Sequence, residues 1–166
     1  QHSFADVAQS VAWARQAGFN NLSLDLLFAI PGQSMENWKE SLERALDLGT
    51  EHLSLYSLTI EEGTPFHRWM EEGRFKPAEE DLAADMMEYA EERLQAAGFD
   101  HYEISNWARH SADFRFECRH NLQYWRNRPY FGFGAGAHGC LEGFRMANTR
   151  GISEFVRLVE TAAGGP

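Results

Sequence analysis

The segment from Phe114 to Gly139 reads FRFECRHNLQYWRNRPYFGFGAGAHG. Arg115, Arg119, Arg126 and Arg128 carry planar guanidinium groups that pair with carboxylates through two parallel hydrogen bonds. Tyr124, Trp125, Tyr130 and Phe131 offer flat faces for stacking. His120, inside HNLQYW, has an imidazole able to ligate iron or another metal. Together these types predict a flat, anionic, aromatic ligand. Plainer accounts exist for each part. A lone histidine is more often a hydrogen-bonded structural residue, and a basic aromatic surface also suits docking of an acidic protein.

Three other places carry residues suited to chemistry. Asp25 lies within SLDLLF, and a carboxylate buried in a strand is costly unless paired. It either is held by a neighbouring segment or points into a barrel to meet a polar ligand, since sites in parallel barrels lie at the C-terminal strand ends. The IPGQS turn follows the same strand, and its backbone can approach a ligand. GFGAGAHG, Gly132 to Gly139, has four glycines in eight residues. It matches neither a dinucleotide fingerprint nor a P-loop, because no strand–helix unit surrounds it and no lysine follows. Glu103 and Tyr56 are weaker candidates, each explained as a core strand residue with a satisfied polar tip.

Composition narrows the partners. The 166 residues suit one ordinary domain, and 12 Phe, 5 Trp and 5 Tyr are enough for a core. With 25 acidic against 15 basic residues the net charge is -10, which disfavours nucleic acid and anionic membranes. No apolar run approaches the roughly 18 residues of a membrane span. No leader is visible, so the expected location is cytoplasmic. Cys118 and Cys140 are expected as reduced thiols, too few to hold an iron–sulfur cluster. The charge is uneven. Residues 1–107 hold 7 Lys/Arg and 20 Asp/Glu, whereas residues 108–150 hold 7 Arg and 3 acidic groups.

The elements that must position these residues follow from periodicity. Ser3 and Asp6 have capping-box form ahead of a helix over 4–17, closed by Gly18. Leu22, Leu24, Leu26 and Phe28 share one face of a strand, with Ser23, Asp25 and Leu27 on the other. Ser34 can cap a second helix through Trp38, Leu42, Ala45 and Leu46. EHLSLYSLTI is a second strand, so helix, strand, helix, strand predicts parallel pairing. EEGTPF predicts a turn, and AEEDLAADMMEYAEERLQAAGF a long helix. YEIS is a short strand, the Arg/aromatic segment is mostly irregular, and a last helix covers about 152–161. Two parallel strands are few for a barrel. Either the later segment supplies strands, or the chain is the back part of a larger protein.

LDLLFAIPGQS, EHLSLYSLTIEEGTPF, FDHYEISNWAR, CRHNLQYW and YFGFGAGAH occur in one order. Together they resemble the oxygen-independent coproporphyrinogen III oxidase family of radical SAM proteins, and HNxxYW resembles its haem-chaperone (HemW-like) branch. The resemblance implies an α/β fold: the C-terminal part of a partial TIM-like (β/α)6 radical SAM barrel with additional strands. Residues 1–150 would be that barrel portion and its extension, and 151–166 the start of a helical domain. It implies that Asp25, Thr59 and His138 contact S-adenosylmethionine. It implies that His120, Asn121, Tyr124 and Trp125 serve haem, with His120 as a candidate ligand of the haem iron. The family's CxxxCxxC motif for a [4Fe–4S] cluster is absent here. Without it nothing delivers the electron that cleaves S-adenosylmethionine. Ala29 replaces the usual glycine of the turn and Ser34 its threonine, and both are expected to keep it. The implied function is haem binding and delivery to client haemoproteins. The alternatives are decarboxylation of coproporphyrinogen III and an inactive truncated product, whose open barrel edges would favour pairing with other chains.

Overall fold

The computed structural model describes residues 3–163 and divides into two compact units after Glu117. The first unit runs α1 (Phe4–Gln16), β1 (Ser23–Phe28), α2 (Met35–Asp47), β2 (His52–Ser57), α3 (Pro65–Glu71), α4 (Glu80–Ala96), β3 (Phe99–Glu103) and β4 (Asn106–Arg109). Its four strands form one sheet in the order β1-β2-β4-β3. β1 and β2 are parallel, as the alternation predicts. β4 pairs antiparallel to both β2 and β3, so the sheet is mixed.

Local signals set the helix ends. The Ser3 hydroxyl accepts from the Asp6 backbone N–H, and the Asp6 carboxylate accepts from the Ser3 N–H, completing the capping box. Ser34 caps α2 by accepting from Asn37 N–H at 3.2 Å. Between β1 and α2, Gln33 N–H donates to Ile30 C=O at 2.9 Å, with Pro31 and Gly32 at the central positions and Gly32 at φ 78°. That is a type II turn, which requires positive φ at its third residue. Ala29, just before it, also sits in the left-handed region at φ 56°. The turn is therefore kept without a glycine there. EEGTPF does more than turn: Thr64 caps α3, and Pro65 opens it where a missing N–H is harmless.

The sheet has two unlike faces. Leu24, Leu26, Phe28, Leu53, Leu55, Trp107 and Phe99 point toward Trp38, Leu42 and Ala45 of α2 and Met86, Ala90 and Leu94 of α4, forming the core. Trp38 is fully buried, and its indole N–H donates to Met86 C=O at 2.7 Å, joining the two helices inside. Outside, the Arg93 guanidinium grips Glu43 at 2.5 and 2.8 Å and holds that carboxyl below its ordinary range. The other face carries Ser23, Asp25 and Leu27 from β1, all exposed. β1 is thus buried on one side only, and Asp25 pays no burial penalty.

The second unit contains α5 (Arg119–Trp125), β5 (His138–Leu141), β6 (Phe144–Ala147) and α6 (Ile152–Ala163). The sequence predicts an irregular segment across most of this stretch. β5 and β6 instead form an antiparallel hairpin, and Tyr130 bridges to Cys140 through two backbone hydrogen bonds of 2.8 Å. Their short length and glycine content hide the alternation by which a strand is recognised. β4, the four residues NWAR, was hidden in the same way, and the strand expected at YEIS instead spans Phe99–Glu103, with Ile104 and Ser105 forming the turn into β4. No helix among the described residues is long and apolar enough to cross a membrane.

Candidate functional site

In the first unit, register places side chains in rows on the polar face, because directly paired residues point to the same side. Asp25 pairs with Ser54, Ser54 with Asn106, and Asn106 with Glu103. One row of four polar residues therefore crosses all four strands. The row beneath runs Ser23, His52, Ala108 and Asp100. A β-bulge between His101 and Glu103 makes the first row possible. It adds one residue to β3, so that His101 stacks on Trp107 on the helix side while Glu103 still faces Asn106.

Hydrogen bonds tie this face together. His52 Nδ1 lies 2.7 Å from the Ser23 hydroxyl, and its Nε2 lies 2.7 Å from the Tyr102 hydroxyl. One imidazole on β2 thus reaches both its neighbour β1 and, past β4, the edge strand β3. Burial pushes the His52 imidazole below the ordinary histidine range, against the opposing pull of the Asp25 and Glu103 carboxylates. The Asn106 amide donates from Nδ2 to Glu103 Oε1. Its Oδ1 is buried and has no hydrogen-bond partner.

Thr59 lies just past β2 and lines a cavity of about 350 Å³ with Ala29, Pro31, Leu58, Met70 and Ala78. Asp25 is not among that cavity's lining residues. The structure thus puts Asp25 on the open polar face and Thr59 at the strand ends.

In the second unit, HNxxYW becomes α5. Four-residue spacing puts His120 and Tyr124 on one stripe of the helix and Asn121 and Trp125 on the next. His120 is exposed and meets the Tyr124 ring edge-on at 4.8 Å. Tyr124 in turn meets Tyr130 at 4.6 Å. Arg119, Arg126 and Arg128 are exposed around the helix. Arg115, at the end of the first unit, pairs with Glu117 at 3.1 Å. His138 opens β5 and is exposed. Its carbonyl oxygen packs so closely on Gly132 that a Cβ there would collide with backbone. That contact explains the glycine without invoking a ligand.

Sequence reasoning singled out Asp25 and Glu103 and missed the residues between them. His52 and Ser54 lie on β2, Asn106 on β4 and Tyr102 on β3 itself, and only register brings them into line. The available signal was the parallel pairing itself: once Asp25 faces one side, alternation restricts its neighbours in EHLSLYS to His52, Ser54 and Tyr56.

Cluster chemistry does not fit this chain. Cys118 and Cys140 are its two cysteines. Among the described residues no group of three or more His, Cys, Asp and Glu side chains is placed to hold a metal ion.

No family model matches the chain. Individual proteins do. It is 41% identical over 158 residues to the "Heme chaperone HemW" of Bacillus subtilis, covering 95% of this chain and 41% of that protein. It is 39% identical over 160 residues to the HemW of Lactococcus lactis, covering 96% and 41%. It is 39% identical over 138 residues to the mitochondrial "Radical S-adenosyl methionine domain-containing protein 1" of Danio rerio, covering 83% and 30%. The chain thus spans about two fifths of the length of the HemW relatives. Among solved structures, the Escherichia coli coproporphyrinogen III oxidase HemN, a radical SAM enzyme, superposes with a TM-score of 0.72 at 15% identity. That likeness covers 96% of this chain and 39% of HemN, and it establishes the fold. Over the span they share, the chain belongs to the HemN-like radical SAM family, in its HemW branch.

Proposed function

We propose that this chain is part of a haem-handling radical SAM protein that binds haem and passes it to client haemoproteins. The observation that carries this is the α5 surface. An imidazole stands exposed on a short helix, backed by Tyr124 and Tyr130 and surrounded by exposed arginines. An accessible imidazole suits an axial iron ligand. Arginines suit propionates, and aromatic faces suit a macrocycle. Asn121 and Trp125, on the adjacent stripe, extend the same surface. The HemW likeness supports the identity of the ligand.

The polar sheet face fits S-adenosylmethionine, with Asp25 as an exposed carboxylate beside hydrogen-bonding side chains. Thr59, at the strand ends of the same unit, is a further contact in this proposal. When bound, that cofactor supplies a reactive sulfonium. The part of this chain is to bind and orient it. A [4Fe–4S] cluster has no ligand set among the described residues of this chain.

The test is titration of haemin into the purified chain, followed at the Soret band, beside His120→Ala. Saturable binding is expected, with affinity falling at least about tenfold and the band shifting in the variant. An unchanged spectrum and affinity in His120→Ala would remove His120 as the iron ligand. Absence of specific binding would remove the haem site from this chain.

A further inference from the structure

Asn106 is 3% exposed, yet its Oδ1 accepts no hydrogen bond. A buried amide oxygen left unpaired loses its hydration without compensation, and such atoms are uncommon in folded proteins. Rotating the amide does not relieve it. Glu103 Oε1, as a carboxylate oxygen, can only accept, so the NH2 end must face it and the oxygen must face away. The register that pairs Asn106 with Ser54 and Ser54 with Asp25 keeps this amide on the polar face. The row presents two carboxylates, a hydroxyl and an orphaned carbonyl oxygen. At about 4.8 Å per strand it extends roughly 14 Å.

We propose that Asp25, Ser54, Asn106 and Glu103 form one continuous ligand strip, in which Asn106 Oδ1 accepts a hydrogen bond from an extended, positively charged ligand bearing N–H or O–H donors. This rests on the reading that Asp25 faces S-adenosylmethionine. It adds a second anchor on the two strands farthest from β1, at Asn106 of β4 and Glu103 of β3, a pair to which neither composition nor motif assigns a role. Acceptors at both ends select a ligand with donors at both ends, and the two carboxylates favour one that is cationic. His52, in the adjacent row, reports on that charge. It faces Asp25 from β1, and Glu103 and Tyr102 from β3, with Asp100 at the far edge held by His110 at 2.8 Å. A cation seated on the strip offsets the carboxylates that favour the His52 proton.

The experiment titrates S-adenosylmethionine, and S-adenosylhomocysteine as the analogue without sulfonium charge, into the intact chain by calorimetry. Asp25→Asn and Asn106→Ala are run in parallel, and the His52 ring is followed by NMR across pH. S-adenosylmethionine is expected to bind more tightly than its uncharged analogue. Asn106→Ala should weaken it at least about tenfold. Saturating ligand should lower the His52 titration midpoint in the unaltered chain. If Asp25→Asn loses binding while Asn106→Ala keeps it, the strip is overturned and the Asp25 reading stands. If the unaltered chain binds nothing, both fall. Should Asn106→Ala fail to fold, the His52 midpoint and Ser54→Ala decide. A midpoint unmoved by saturating ligand, or full affinity in Ser54→Ala, overturns the strip.

Discussion

The two units use their aromatic residues in opposite ways. In the first, Phe28, Trp38, Phe99 and Trp107 are buried between the sheet and two helices. In the second, Trp125, Phe131, Phe133 and Phe144 are more than half exposed, and Cys140 is the one apolar side chain there that ranks as buried among the described residues. Residues 118–166 also hold 6 Arg against 3 Glu, whereas the first unit is strongly acidic. Aromatic content is therefore not core content. A ring goes inside where an amphipathic helix lies across a sheet. Where a seven-residue helix and a hairpin of two four-residue strands carry it, it stays at the surface, where a ligand can meet it.

The sharpest way to break that contrast is to remove a ring from each unit. Trp38→Ala empties a fully buried site and removes the indole hydrogen bond to Met86 C=O, so it should cost about 4 kcal/mol of first-unit stability in denaturant titration. Trp125→Ala should cost less than about 1 kcal/mol in the same measurement, because Trp125 is already half exposed. Equal losses would refute the division of labour. A smaller effect tests what holds the second unit without a core. Gly132→Ala drives a methyl into the His138 carbonyl and should cost about 2 kcal/mol. Amide exchange should accelerate in β5 and β6 while β1 and β2 remain protected. The smallest effect is a pH slope. The folded-state value of His52 lies below the ordinary histidine value of about 6.5, so the unfolded chain takes up the proton first as pH falls. The His52 contribution is whole above about pH 6.5 and declines as pH falls from there toward the folded-state value. Thermal melting between about pH 7 and pH 5 should show this slope, and His52→Gln should flatten it.

The same contrast explains what the sequence made legible. α1, β1, α2, β2 and α4 are long enough for periodicity to speak, and Ser3, Ser34, Pro31 and Gly32 mark their ends through backbone geometry that local residue types dictate. The face of Asp25 followed from alternation alone. β4, β5, β6 and α5 span four to seven residues, too few for a period to repeat, and they are set by tertiary pairing such as the Tyr130–Cys140 bridge. α3, at seven residues, was concealed by the turn-like GTP ahead of it. The polar row was out of reach for a different reason. Its members lie 25 to 106 in the chain, and their alignment depends on strand order and on one irregularity in β3.

That irregularity gives β3 an unusual kind of constraint. Because β3 has one extra residue opposite β4, deleting any one of His101, Tyr102 and Glu103 would restore regular alternation. Tyr102 could then no longer reach His52 while Glu103 still met Asn106. Point substitutions on this strand change one side chain, but a one-codon deletion would rewire two contacts at once. Among descendants of this gene, the spacing between Phe99 and Asn106 should therefore drift less than the identity of the residues that fill it.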